Sequence, residues 1–151
     1  MEIFVNIYLR VLVSQPDFQQ HEQMVFDDLN VNGQTGPKGL DYKLRHWPPK
    51  ILGKSLVWQG GSAREFDEIR DIRNVLMHFT SSHDTATFPN MIIEGMANTT
   101  IYDGLTSQDA LKALHAAEGV VAEILLRSGW TREQIPQGLQ AWTGKPPLLV
   151  S

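Results

Sequence analysis

The sequence predicts an all-α fold, an antiparallel helical bundle of four to five main helices with a long Gly/Pro-rich connector and room for one small β-hairpin. Three observations predict it: apolar residues recur every three to four positions in several stretches, helix-start residues stand ahead of them, and sustained alternation of apolar and polar residues is scarce. The 151 residues, 42% of them hydrophobic, suit one domain over 1–151.

Glu2, Asn6 and Arg10 recur every four residues, which makes one polar stripe of a helix and leaves Ile3, Phe4, Ile7, Val11 and Leu12 for the rest. The helical pattern begins at residue 2 with no capping residue before it, as in a chain cut from a longer one. Ser14-Gln15-Pro16-Asp17 then reads as a second helix start, with Ser14 as cap and Pro16 in the first turn; Phe18, Val25, Phe26 and Leu29 form its apolar face. From 30 to 61 nine glycines and prolines break any long element, though 40–47 has room for a short helix.

Ser62-Ala63-Arg64-Glu65 reads as a capping box opening the strongest helix, 63–79. At about 100° per residue, Phe66, Ile69, Ile72, Val75, Leu76 and Phe79 share one arc, and Arg73 falls inside it. His78 lies about 140° from Arg73 on the same wheel, with Asp67, Asp71 and Asn74 on its side. In 81–105 the apolar pieces 91–93 and 99–102 either pair as the hairpin or stay irregular. Thr106 or Ser107 caps a last long helix, 108–127, where alanines and Gly119 permit close approach of a neighbour; Gly129 ends it, and 131–142 holds one more short helix limited by Pro136. The expected core draws on Phe66, Ile69, Ile72, Leu76, Leu114, Ala117, Val121 and Leu125.

Seventeen acidic against thirteen basic residues give −4, so any nucleic-acid site is local. With no cysteine the chain has no disulfide, thiolate nucleophile or Cys-ligated zinc, and a cytoplasmic location is the default. No apolar run approaches the roughly 20 residues of a membrane span, and the N-terminus does not read as a signal peptide. Neither G-x-G-x-x-G, a Walker loop nor G-x-S-x-G occurs, which sets aside dinucleotide, P-loop and serine-hydrolase chemistry. No metal or cofactor is expected.

Arg70-Asp71-Ile72-Arg73-Asn74-Val75-Leu76-Met77-His78 resembles the R-N-x3-H form of the R-x4-6-H motif of the HEPN superfamily, small helical domains found in many prokaryotic RNases and toxins. The asparagine beside the arginine makes the match informative, and the resemblance covers about 62–128, where an alanine-rich helix follows the motif as a closing helix would. It implies a metal-independent endoribonuclease of toxin–antitoxin or defence systems, a homodimer whose two Arg/His sets line one cleft. His78 would transfer protons, Arg73 would hold the scissile phosphate, and Asn74 would orient imidazole or substrate. The chemistry suits these residue types, because histidine titrates near neutral pH and a guanidinium forks onto phosphate. The wide angle between Arg73 and His78 also fits a cleft shared between protomers.

Lys43, Arg45, Lys50 and Lys54, with Tyr42, Trp47 and Trp58 among them, and Arg70 on the motif helix, are candidates for RNA backbone contacts. The competing reading of that stretch is a solvated loop whose tryptophans plug the core. For the motif it is a buried Arg73 paired with Glu118 or Glu123, in a catalytically inactive HEPN-like dimerisation or nucleotide/RNA-binding module. An antitoxin or parent polypeptide is a further candidate partner.

Overall fold

The computed structural model describes residues 1–31, 33, 36–77, 83–88, 91–97 and 104–144. They form six α-helices and one strand pair: α1 (Glu2–Val13), a 3₁₀ turn (Pro16–His21), α2 (Glu22–Asp28), α3 (Leu40–Ile51), α4 (Gly61–Met77), β1 (His83–Phe88), β2 (Met91–Ala97), α5 (Ser107–Arg127) and α6 (Ile135–Thr143). The fold is therefore predominantly helical. The strands are antiparallel, with Ala86 opposite Ile93 and Phe88 opposite Met91, so 91–93 pairs with the segment before it; residues 99–102 lie outside the described residues.

The core is built around α1, α3 and α5. Phe4, Val5, Leu9, Leu12 and Val13 of α1 are buried together with Leu44, Trp47 and Ile51 of α3 and Val120, Val121, Ile124 and Leu125 of α5. Trp47 is fully buried, and its indole N–H donates to Asp28 Oδ2 at 2.8 Å, which ties α3 to the end of α2. Tyr8 and Ser128 share a hydrogen bond between α1 and the end of α5, and Phe4 meets the Trp142 ring edge-on at 4.9 Å, which fastens α6 to α1.

Several helix boundaries differ from those the sequence suggests. Ser14 ends α1, its hydroxyl donating to the Val11 carbonyl at 2.7 Å, and the next helical residues wind first as the 3₁₀ turn. α3 runs on through Pro48 and Pro49 to Ile51, although neither proline has an N–H for the preceding turn, because the buried row Leu44, Trp47, Pro48 and Ile51 is anchored in the core. α4 begins at Gly61, whose φ of +65° favours glycine, so Ser62 lies inside the first turn. Its side chain faces Gly119 of α5 instead of serving as the expected cap.

At α5 the sequence signals hold. Thr106 and Asp109 form a reciprocal capping box. At the other end Gly129 (φ +100°) follows the cap residue Ser128, with the N–H groups of Gly129 and Trp130 donating to the carbonyls of Leu126 and Leu125.

The expected core list is right only in part, for a geometric reason. Val121 and Leu125 are buried and Phe66 packs on the core, whereas Ile72 is 46% and Leu114 53% exposed; Ile69 and Ala117 are half-buried, and the Leu76 side chain lies outside those described. The start of α4 touches the middle of α5 at Ser62 and Gly119, and farther along an open groove separates residues 65–73 from 105–115. The apolar stripe continues past the point where a neighbour covers it.

A Cβ on Gly119 would lie 1.9 Å from Ser62 Oγ and 2.4 Å from Ser62 Cβ. Gly119→Ala is therefore expected to cost about 1–3 kcal/mol through overpacking, less up to about 1 kcal/mol returned by helix propensity. Urea unfolding checks this, and a Ser62→Gly second change should recover most of the loss. Equal stability of Gly119→Ala and wild type would contradict the close approach.

Candidate functional site

Arg73 and Asn74 occupy the last described turns of α4 (Gly61–Met77), and His78 lies outside the described residues. The Arg73 side chain is exposed, and its Nη1 donates to Asn74 Oδ1 at 3.2 Å. Among the described residues Arg73 forms no ion pair with an acid; Glu123 instead pairs with Arg127 and accepts the Val57 N–H at 3.1 Å. Glu123 is thus not the partner of Arg73.

Arg73 borders the groove between α4 and α5, of about 570 Å³, together with Ile69 and Ile72 on one wall and Leu105, Lys112 and His115 on the other. The groove carries a guanidinium, an ammonium and an imidazole among apolar side chains, and the carboxylates of Glu65, Glu68 and Asp109 line it as well. Lys112 and His115 were not among the sequence candidates. Their signal was available, since both lie within three turns of the Thr106 cap on the helix expected to pack beside the motif.

The basic candidates for backbone contact fare unevenly. Lys43 is only 2% exposed; its ammonium donates to Asn6 Oδ1 at 2.9 Å, lies 3.5 Å from Glu2 Oε1 and sits over the Trp47 ring. It cannot meet a phosphate from there. The reason is helical register, because Lys43, Trp47 and Ile51 follow one another at four-residue steps on the inward stripe of α3. Lys50 and Lys54 are exposed.

Arg45 and Arg70 are consumed by a network that clamps α3 to α4. Arg45 donates to Asp41 Oδ1 and Asp67 Oδ2, both at 2.8 Å, and its guanidinium stacks 4.1 Å from the centre of the Trp58 ring. Arg70 donates to Asp41 and Asp71, and its Nη2 lies 2.7 Å from Asp67 Oδ1. That last contact is an ion pair at an angle too poor for a hydrogen bond, so Asp67 Oδ1 is buried with attraction but without a donor. Trp47 plugs the core as the plainer reading of this stretch proposes, while Trp58 serves as the platform for Arg45.

Partial burial pushes the Asp41 carboxyl upward, but hydrogen bonds from Arg70 and Arg45 and their charges outweigh it and hold its pKa below 3.8. A carboxylate depressed on folding contributes stability that is complete above its unfolded pKa and is lost as pH falls through the folded value. The stability gap between wild type and Asp41→Asn should therefore be constant well above pH 3.8 and close in more acid solution. Thermal unfolding at a series of pH values measures it; a gap that persists in strong acid would contradict the pairing.

Among the described residues no three histidine or acidic side chains gather as a metal-ligand set, and no helix is long and apolar enough to cross a membrane. Comparison with protein-family models, curated proteins and solved structures finds no match.

Proposed function

We propose that the protein is a metal-independent endoribonuclease of the HEPN type, a cytoplasmic homodimer of a toxin–antitoxin or defence system with RNA as substrate and the antiparallel helical bundle of that superfamily. The observation that carries this reading is the state of Arg73. While Arg45 and Arg70 are tied to acids, Arg73 stands exposed, braced by Asn74, on an open groove, five residues before His78 in the sequence. Among the described residues no acid pairs with this guanidinium, which leaves it to meet a phosphate.

In the proposed reaction the RNA 2′-hydroxyl loses its proton to one His78 imidazole as its oxygen attacks the adjacent phosphorus. The bond to the 5′-oxygen breaks, and that oxygen takes a proton from the second His78 across the dimer cleft. Arg73 stabilises the charge that gathers on the non-bridging phosphate oxygens. Products are a 2′,3′-cyclic phosphate and a 5′-hydroxyl. Asn74, whose carbonyl oxygen accepts from Arg73, positions the arginine. Lys50 and Lys54 are the basic candidates left for the RNA backbone.

End-group analysis tests the chemistry: purified protein incubated with RNA in EDTA should yield 2′,3′-cyclic phosphate ends, and RNA with a 2′-deoxy residue at the cut site should resist. Cleavage only with an added divalent cation, or products bearing 5′-phosphate, would overturn it. One observation favours a second reading, a catalytically inactive HEPN-like dimerisation or nucleotide/RNA-binding module. Lys43, Arg45 and Arg70 are withdrawn from the surface charge, which leaves little positive field for a polynucleotide. Dimers that bind RNA and leave it intact would select that reading.

A further inference from the structure

The outer stripe of α3 repeats at four-residue steps: Lys38 just before the helix, then Tyr42, His46 and Lys50. Lys38 Nζ lies 5.3 Å from the centre of the Tyr42 ring, and the His46 ring stacks on Tyr42 with centroids 4.1 Å apart and planes 15° from parallel. The Tyr42 carbonyl accepts from His46 Nδ1 at 2.8 Å, so stack and hydrogen bond together fix the imidazole. Lys38, His46 and Lys50 are exposed, and Tyr42 is half-buried. One face of the imidazole lies on Tyr42, and the exposed residue offers its other face to a ligand.

Pairing within the stretch decides which charges are left for a ligand. Residues 38–54 contain five basic residues and one acidic, +4 in a chain of −4. Lys43 is buried beside Glu2, and Arg45 is matched, with Arg70, by Asp41 and Asp67. The one acid of the stretch, Asp41, is thus held by two arginines, and Asp28, whose carbonyl accepts the Lys38 N–H, has its carboxylate buried on Trp47. The surplus falls on Lys38, Lys50 and Lys54, all exposed and, among the described residues, paired with no acid. Lysines flanking a stacked aromatic pair have the make-up of a platform for single-stranded nucleic acid, phosphates meeting the ammonium groups while an unpaired base lies on the open ring. An acidic peptide would satisfy the lysines and leave that ring unused. The Asp41–Arg70 pair joins this end of α3 to α4 one turn before Arg73.

We propose that the strip Lys38, Tyr42, His46 and Lys50 holds single-stranded RNA, a base stacking on His46 and the neighbouring phosphates meeting Lys38 and Lys50. The choice of RNA rests on the function proposed above, whereas binding at the strip needs neither Arg73 nor His78.

Fluorescence anisotropy with a short labelled 2′-O-methyl RNA of non-self-complementary sequence tests the proposal, because blocking the 2′-hydroxyl removes cleavage from the measurement. The substituted positions are exposed, and thermal unfolding verifies each variant's fold. His46→Ala is expected to weaken binding at least about fivefold, the loss of one stacked base, with the salt dependence unchanged, and His46→Phe should restore it. Lys38→Ala/Lys50→Ala should weaken binding and reduce the slope of log K against log salt by about 0.7 for each lysine removed. An abasic strand of the same length should bind like the RNA does to His46→Ala. Absence of binding at low salt, wild-type affinity in His46→Ala, failure of His46→Phe to restore it, or an unchanged salt slope in the lysine variant would overturn the proposal. So would oligoglutamate competing as well as the RNA, which would assign the strip to an acidic peptide. Binding with these responses by a protein that leaves unblocked RNA intact would keep the strip and reject the ribonuclease.

Discussion

Replacing His78 by alanine is expected to slow RNA cleavage by about 10²–10⁴-fold, the contribution of a positioned proton-transfer group. Arg73→Ala is expected to cost about 10²–10³-fold, in the range for removal of a group that stabilises transition-state charge. Arg73→Lys should recover only part, because an ammonium keeps the charge but loses the planar fork onto phosphate. Arg73 is exposed and, among the described residues, bonded to its neighbour Asn74, so its loss should leave stability within about 0.5 kcal/mol of wild type. Loss of cleavage at unchanged thermal unfolding would therefore report lost chemistry, not lost structure. Asn74→Ala should act through Arg73, with a smaller loss that does not add to that of Arg73→Ala.

Trp47→Ala is expected to be the most destabilising single change in the core. The indole is fully buried and donates to Asp28 Oδ2 at 2.8 Å, while Asp28 is itself buried. Truncating a buried tryptophan costs about 3–5 kcal/mol, and leaving the Asp28 carboxylate without its donor adds about 1–3 kcal/mol. Together these approach the whole stability of an ordinary domain, about 5–15 kcal/mol. Trp47→Phe separates the contributions, since it keeps most of the apolar volume and loses the N–H; urea denaturation of the two variants should place it well above Trp47→Ala. A loss below about 2 kcal/mol for Trp47→Ala would contradict the position given to this side chain.

What the sequence made legible was mostly local. The cap at Thr106, the Gly129 terminator and the close approach at Gly119 depend on residues within a few positions or on the small size of one side chain, and the structure shows all three. What depended on distant neighbours was harder to read. Periodicity shows that Ile72 and Leu114 share stripes with buried residues but not how far the covering helix reaches, and both are exposed at the groove. Lys43 was read by its charge when its register with Trp47 and Ile51 decided its place, supported by Asn6 from thirty-seven residues away.

The site divides in the same manner. The Arg73–Asn74 pair was visible as a motif, and its local hydrogen bond follows from adjacency. Arg45 and Arg70 each have an acid one turn away on their own helix, Asp41 and Asp67, a spacing visible in the sequence, whereas the cross-helix pairs Arg45–Asp67 and Arg70–Asp41 exist only once folding brings the two helices together. Placing Lys112 and His115 beside Arg73 likewise required knowing that α4 and α5 share the groove.

The most direct measurement is the initial rate of cleavage of a labelled RNA in EDTA by wild type, Arg73→Ala and His78→Ala, each verified as folded. Cleavage by wild type with a loss of at least about 10²-fold in both variants is the expected result. Intact RNA with folded wild-type protein, or variants that cleave as fast as wild type, would contradict a ribonuclease site at Arg73 and His78.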